Sequence, residues 1–327
     1  MRLLITGAAG FIGFHCVQRL ARSGHEVVGI DNLNGYYDPR LKAARLAELE
    51  PLAGFRFERL DLADREAMAR LFAGERFDVV LHLGAQAGVR HSLDNPFAYL
   101  DSNLAGTLTV LEGCRQQGVG HLIYASSSSV YGANSKLPFA VDDRVDHPVS
   151  LYAATKKAGE LMAETYAHLY RLPSTGLRFF TVYGPWGRPD MAYYKFADAI
   201  LAGRPIEVYN HGEMRRDFSY IDDIVDCIER IVDRPPTCLG DPVPHRLYNL
   251  GHHAPERLTD FIAVLEEALG RRAERRLLPM QPGDVPATYA DITETRRDFG
   301  FEPRIAIREG IPRFVDWYLG WRRRGAG

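Results

Sequence analysis

The sequence predicts an α/β fold: a doubly wound parallel sheet followed by a smaller mixed α/β domain. Three observations predict it. Short β-branched and aliphatic runs recur at residues 3–6, 27–31, 55–61, 79–83, 122–126 and 176–182. Between them, residues 11–22, 65–72, 98–117 and 151–170 carry apolar side chains at three- and four-residue steps, the period of a helix with one buried face. After Gly184 the texture changes, and PWGRPD, AGRPI, DRPPT and GDPVPH break the pattern into shorter elements. Strand and helix alternating at that pitch require a parallel sheet covered on both faces.

The first domain is therefore placed at residues 1–182 and the second at 183–327, with residues 219–232 and 247–250 reading as a helix and a strand that return to the first sheet. At 327 residues, 46% of them hydrophobic and 25% charged, the chain can bury a core large enough for two domains. A net charge of −2 argues against nucleic acid and against an anionic membrane surface as partners. The Arg322, Arg323, Arg324 run reads as a solvated helix end. The opening MRLLITGAAGFIGF is shorter than a membrane span and runs straight into a glycine turn, so it reads as a strand and not as a signal peptide. Cys16, Cys114, Cys227 and Cys238 form no C-x-x-C pair, which points to a reducing, cytoplasmic setting. The histidines show no metal-ligand spacing, and His82 reads as a buried strand histidine.

Each motif sits where this order of elements gives it a use. The first strand ends in TGAAGFIG, so Gly7, Gly10 and Gly13 form a turn that opens a helix at Phe11 and Ile12. Glycines let the backbone turn tightly and approach a pyrophosphate, whose charge meets the first helical N–H groups. Asp31 ends the second strand, eighteen residues after Gly13, with Asn32 beside it. A carboxylate there accepts hydrogen bonds from a ribose diol and repels a 2′-phosphate, which selects NAD over NADP. Asp61 and Leu62 follow the third strand, where they either border the adenine or start the next helix.

The most informative segment is SSSSVYG, residues 126–132, followed by Tyr152 and Lys156 in SLYAATKKAGE. A spacing of four on a helix puts the phenol and the ammonium on one face, one turn apart, so the cation lowers the cost of ionising the phenol. A free tyrosine has a pKa of about 10, and each unit of depression corresponds to ~1.4 kcal/mol, so a few kcal/mol make Tyr152 a base near neutrality. Lys157 reads as a surface residue and Ser126 as a serine satisfying backbone groups at a strand end.

With TGAAGFIG, Asp31, HLGAQA, SSSSVYG and the Tyr152/Lys156 pair in order, the sequence resembles the extended short-chain dehydrogenase/reductases over nearly its whole length. Within that family GIDNLNGYYD, AQAGVRHS, DHPVSLYAATKK, LRFFTVYGPWGRPDM and RRDFSYIDDIV resemble the UDP-glucuronate 4-epimerases. The resemblance implies an NAD-retaining epimerase that oxidises C4 to a ketone, lets the sugar turn about its pyrophosphate and reduces the other face. It gives Tyr152 the 4-hydroxyl proton by way of Ser127, and Lys156 the nicotinamide ribose as well. Related dehydratases carry Asp-Glu where this chain has Ser128 and Ser129, and related decarboxylases carry Glu at the second position. A serine hydroxyl cannot replace a carboxylate as the base for the C5 proton. On that resemblance, short donors from Ser128, Ser129 and Thr181, with charge from Arg188, are expected to oppose loss of carbon dioxide by holding the uronate carboxylate ionised and out of alignment with the ketone. The alternatives are a β-branched strand residue at Thr181 and a surface turn arginine at Arg188. Arg90 is a further candidate for that end, with a loop arginine paired to Asp94 as its alternative.

For the UDP part the resemblance implies Arg216 on a phosphate, Asp284 on the uridine ribose and Val208, in a strand over residues 207–210, on the uracil. It also implies a homodimer formed through the helices at 98–117 and 151–170. Two other readings remain on the same scaffold: an epimerase of neutral or N-acetylated UDP-hexoses, or a UDP-glucuronate decarboxylase. A non-catalytic NAD-binding regulator is the remote third, since it needs no intact Tyr, Lys and Ser set.

Overall fold

The computed structural model describes residues 1–237, 243–281 and 285–325. Asp284 and Cys238 lie outside the described residues. In chain order the elements begin β1 (Arg2–Thr6), α1 (Phe11–Arg22), β2 (Glu26–Asp31), α2 (Pro39–Leu49), β3 (Phe55–Arg59), α3 (Arg65–Gly74) and β4 (Val79–His82). Next come α4 (His91–Asp94), α5 (Pro96–Tyr99), a π turn (Leu100–Ala105), α6 (Gly106–Gln117), β5 (His121–Ser127), a 3₁₀ turn (Ser128–Tyr131), α7 (Leu151–Tyr170) and β6 (Ser174–Phe179). The remainder runs β7 (Thr181–Tyr183), α8 (Ala192–Leu201), β8 (Ile206–Val208), β9 (Arg215–Tyr220), α9 (Ile221–Val232), β10 (His245–Leu250), β11 (Pro255–Arg257), α10 (Leu258–Leu269), β12 (Arg275–Leu277), α11 (Thr293–Phe299) and α12 (Ile307–Gly325).

The chain divides into two compact units. The first comprises Met1–Asn134, Val141–Phe179 and Val225–Asn249. Among the described residues its sheet has seven strands in the order β10-β6-β5-β4-β1-β2-β3. β1 pairs in parallel with both β2 and β4, Leu3 lying opposite Val27 and Val79. The strand order therefore reverses at β1, and the loops leaving β1 and β4 open at the point where such sheets bind nucleotides. Leu4, Val28, Val80 and Leu122 from the strands pack with Met68 and Phe72 of α3, Val110 and Leu111 of α6 and Ala163 of α7 in one apolar cluster.

The second unit comprises Ser135–Ala140, Phe180–Ile224 and Leu250–Gly327. It contains a three-stranded sheet, β11-β9-β7, and a two-stranded one, β12-β8. An aromatic core fills it, with Phe218 stacked on Phe261 at 4.3 Å and Tyr193 edge-on to Phe314 at 4.9 Å.

Several elements differ from the sequence reading. The expected strand at 176–182 is two strands, because Phe180 donates its N–H to the Leu250 carbonyl at 3.0 Å and Thr181 begins pairing with β9. The chain thus enters the second unit at residue 180. Residues 135–140 and 219–224 also lie in that unit, and the helix expected from 219 starts at Ile221, after β9. The continuous helix expected over 98–117 is interrupted by the π turn, in which Asn103 is buried. The strand expected at 207–210 ends at Val208, and a 3₁₀ turn from Tyr209 follows it.

Candidate active site

The turn between β1 and α1 is built without room for side chains. Gly7 has φ +69°, and a Cβ there would lie 2.8 Å from the Gly84 Cα. A Cβ on Gly13 would collide with the Gly7 carbonyl oxygen. Gly10 caps α1 in extended conformation with no side-chain cap, and no acidic residue occupies the first turn. The N–H groups leading α1 at Phe11, Ile12 and Gly13 thus keep the partial positive charge of a helix start for an outside anion.

Asp31 stands at the end of β2, buried, where Oδ1 accepts from Leu33 N–H at 2.8 Å and from Lys42 Nζ at 3.1 Å. Neither bond involves Oδ2. Lys42 was not singled out in the sequence, and nor was Arg45, whose guanidinium donates to the Ala9 carbonyl at 2.8 Å and to Tyr37 Oη at 2.7 Å and so braces the glycine turn. The signal existed: both cations fall among Leu41, Leu46 and Leu49 on the buried side of α2. Asn32 donates to Asp61 Oδ2 at 2.9 Å, while Asp61 Oδ1 accepts from Ala63 N–H. The N-cap of α3 is Asp64, which accepts from Ala67 N–H at 3.0 Å. Leu62 is buried, its Cδ1 2.8 Å from where a Cβ on Gly84 would be.

On the other side of β1, His82 ends β4 with Nδ1 2.8 Å from Thr6 Oγ1, and the same hydroxyl accepts from Gly84 N–H at 2.9 Å. Burial, with a smaller contribution from the Lys156 charge, pushes the His82 pKa down to about 3. It is a neutral structural histidine, and among the described residues no group of His, Cys, Asp or Glu side chains could hold a metal ion.

Ser150 caps α7 by accepting from Ala153 N–H at 3.1 Å, so the helix opens with Tyr152 in its first turn. The Tyr99 ring meets the Tyr152 ring edge-on at 6.1 Å. Lys156, one turn further, donates to the Ala125 carbonyl of β5 at 2.9 Å. Two residues along β5, Ser127 is buried; its Oγ donates to Ser129 Oγ at 3.1 Å and lies 3.2 Å from Ser129 N–H. Asn103, in the π turn, fastens α7 to the loop after β4: it donates to Thr155 Oγ1 at 3.0 Å and to the Gln86 carbonyl at 3.1 Å. A polar residue at the core register of an otherwise amphipathic helix was its sequence signal. Arg90 is exposed at the start of α4, and Ser128 and Ser129 are half-buried in the 3₁₀ turn.

In the second unit, Thr181 opens β7 opposite Phe218. Arg188 makes a two-point ion pair with Asp190, at 3.0 and 2.5 Å. Arg216, on β9, donates to the Arg215 and Pro286 carbonyls at 3.0 and 3.3 Å, and Val208 is buried at the end of β8.

A parallel sheet with a glycine turn at its switch point, an acid closing β2 and a Tyr/Lys face on α7 define a dinucleotide-binding fold of the dehydrogenase type. The chain belongs to the NAD dependent epimerase/dehydratase family, whose pattern it matches over residues 3–251. It is 56% identical over 329 residues to an uncharacterized 37.6 kDa protein of Escherichia coli O111:H-, covering 97% of this chain and 98% of that one. A probable UDP-glucuronate 4-epimerase of Rhizobium meliloti is 50% identical over 330 residues, 97% of each chain. Among solved structures, a UDP-glucuronic acid 4-epimerase from Bacillus cereus in complex with UDP-glucuronic acid and NAD superposes with a TM-score of 0.91 at 32% identity, over 98% of this chain and 100% of that one. Among the described residues no helix is long and apolar enough to cross a membrane.

Proposed function

We propose that the protein interconverts UDP-glucuronate and UDP-galacturonate by epimerisation at C4. The observation that carries this reading is the serine run at the end of β5: Ser127 closes the strand that Lys156 grips and Ser128 and Ser129 open the turn after it, with no carboxylate among them. The buried carboxylate bonded to the neighbouring Ser126, that of Glu160, has both oxygens taken by Arg178. Elimination of water needs a carboxylate base for the C5 proton, and Ser127, Ser128 and Ser129 offer only hydroxyls. The Rhizobium meliloti relative and the Bacillus cereus structure named above support the same substrate.

The glycine cradle fits a pyrophosphate and the Asp31/Lys42 pair fits a ribose diol, so Gly7, Gly10, Phe11, Ile12, Gly13, Asp31 and Asn32 are assigned to NAD, with Asp61 and Leu62 at its adenine end. Bound NAD supplies a reversible two-electron acceptor for the sugar carbon. Tyr152 holds and returns the 4-hydroxyl proton, and Ser127 Oγ orients that hydroxyl and passes the proton. Lys156 keeps positive charge beside the phenol and binds the nicotinamide ribose. Ser128, Ser129, Thr181 and Arg188 are assigned to the uronate carboxylate, Arg216 to the pyrophosphate and Val208 to the uracil; for Arg188 to serve, the carboxylate must draw it from Asp190. Arg90 and Asp284 complete the proposed substrate set.

Incubating the purified protein with UDP-glucuronate and following the sugar signals by NMR tests the reading. UDP-galacturonate should form without added NAD, and without the pentose product and carbon dioxide of a decarboxylase. Conversion of UDP-glucose but not UDP-glucuronate would move the assignment to a neutral-hexose epimerase. We extend the proposal to a homodimer in the cytoplasm: Leu100, Leu108, Leu161, Leu169 and Tyr170 are exposed on the π turn, α6 and α7, the faces expected to pair, and sedimentation should give twice the chain mass.

A further inference from the structure

α7 carries a third polar residue in register with the first two. Tyr152, Lys156 and Glu160 succeed one another at steps of four, so they share one face of the helix. Unlike the other two, Glu160 is buried, and so is its partner Arg178 on β6. The guanidinium spans the carboxylate in the fork geometry, Nε to Oε1 at 2.8 Å and Nη2 to Oε2 at 3.0 Å. Ser126, opposite Arg178 in the β5–β6 register, donates to Glu160 Oε1 at 2.6 Å. Arg178 also reaches the 3₁₀ turn that carries Ser128 and Ser129, donating Nη1 to Tyr131 Oη at 3.0 Å, and Tyr131 in turn donates to Asn249 Oδ1 at 2.7 Å. Lys157, expected at the surface, is half-buried with Nζ 3.4 Å from Glu160 Oε2.

Neither Glu160 nor Arg178 is assigned a role in the chemistry. We propose that they, with Ser126, are positioning residues that lock the Tyr152/Lys156 face of α7 to the β5 terminus and the serine turn. The argument is geometric. Ser126 adjoins Ser127 in the chain, and Glu160 is one turn from Lys156. The bidentate pair therefore fixes the helix on β6, and the Ser126 bond to the same carboxylate fixes it on the neighbouring β5, at the level of the reacting groups. Lys156 adds a second tie between the same two elements, to the Ala125 carbonyl. Fold stability alone does not call for this construction, since a buried ion pair replaced on both sides by apolar residues of similar volume is commonly neutral or stabilising. Burial opposes ionisation of Glu160, but its bonds to Arg178 and Ser126 hold the carboxyl below its ordinary range.

The inference rests on the epimerase reading, and the test separates the two. The double variant Glu160→Met/Arg178→Met removes both charges together. It should keep its Tm within a few degrees of the wild type, retain bound NAD and hold KM within about two-fold, while kcat falls about a hundred-fold because the reacting groups lose their register. Glu160→Gln alone strands a buried cation and should lower the Tm by about 10 °C as well. A double variant with wild-type Tm and wild-type kcat would overturn the proposal; so would losses of Tm, NAD and kcat that run in parallel. Should the double variant fail to fold, Ser126→Ala serves: about a five-fold loss of kcat at unchanged KM and Tm is expected, and unchanged kcat refutes it. Rates are taken on UDP-glucuronate, or on UDP-glucose if only that sugar is turned over. If the wild type converts neither, the substrate assignment has failed, and positioning is read from crystals of the double variant. There the Lys156 Nζ to Ala125 oxygen distance should open by about 1 Å or more, and an unchanged 2.9 Å contact overturns the proposal.

Discussion

In the first unit the candidate groups are tied to strand backbone, to a turn or to each other: Asp31 to Lys42 and Arg45 to the glycine turn by buried bonds, Lys156 to a strand carbonyl and Ser127 to Ser129 by part-buried ones. In the second unit Arg188 and Arg216 are partly buried, the one paired with Asp190 two residues away and the other donating to the carbonyls of Arg215, its neighbour on β9, and of Pro286. Groups that move protons require fixed geometry, because small displacements are costly in rate. Groups that recognise a charged ligand can exchange a neighbouring carboxylate or carbonyl for a phosphate at modest cost, and long arginine side chains suit that exchange. The contrast predicts that substitutions of the proton-transfer groups of the first unit act on kcat and those of the arginines of the second on KM.

The largest effect should come from Tyr152→Phe. Loss of the phenolic proton site is expected to reduce kcat by about a thousand-fold or more while the protein keeps its NAD, measured by sugar NMR beside the absorbance of bound nucleotide. A near-wild-type rate would remove Tyr152 from its role. Ser127→Ala should follow with roughly a hundred-fold loss in kcat, KM being nearly unchanged, because a proton relay acts only in the reacting complex. If KM rose instead, Ser127 would be a recognition group and the contrast between the units would be broken at its centre.

Tyr152, Lys156 and the glycines stand out in the sequence because they obey local rules, a helix period and a turn that admits no Cβ, whereas Ser127 stands out only through the family resemblance. The groups that were not legible depend on pairing between distant segments. Arg178 looked like one residue in an apolar strand until β6 was set against β5 and brought it to Glu160 and Ser126. Lys42 and Arg45 fall in a stretch to which the sequence pattern assigned no helix, and α2 turns them inward to Asp31 and Ala9. The strand at 176–182 read as continuous because β-branched and aromatic residues suit either sheet, and only the Phe180 to Leu250 bond divides it.

Arg216→Ala probes the recognition side. It should raise KM about ten-fold with little change in kcat, since a phosphate contact made equally in ground and transition states contributes uniform binding. Arg188→Met should raise KM a few-fold; release of carbon dioxide from this variant alone would assign Arg188 to holding the carboxylate. A loss confined to kcat in either variant would place fixed geometry in the second unit too.

The smallest effect concerns acid. His82, His121 and His245 all lie in the first unit, and burial lowers their pKa values to about 3, 4 and 4; the Lys156 charge adds to the shift at His82. A histidine free in the unfolded chain titrates near 6.5, so below that pH the unfolded state binds protons that the folded state refuses. Stability is therefore fully present above about 6.5 and falls as pH drops toward 4. The three tryptophans, Trp186, Trp317 and Trp321, all belong to the second unit, where Trp317 and Trp321 stack at 6.3 Å and Trp186 lies 5.3 Å from Trp317. Tryptophan emission reports that unit, and release of bound NAD reports the first. On titration from pH 7 to 4, NAD release should precede the emission change by roughly half a pH unit or more. Coincident transitions would show that the two units respond to acid as one, and that the buried histidines do not set a separate limit for the first.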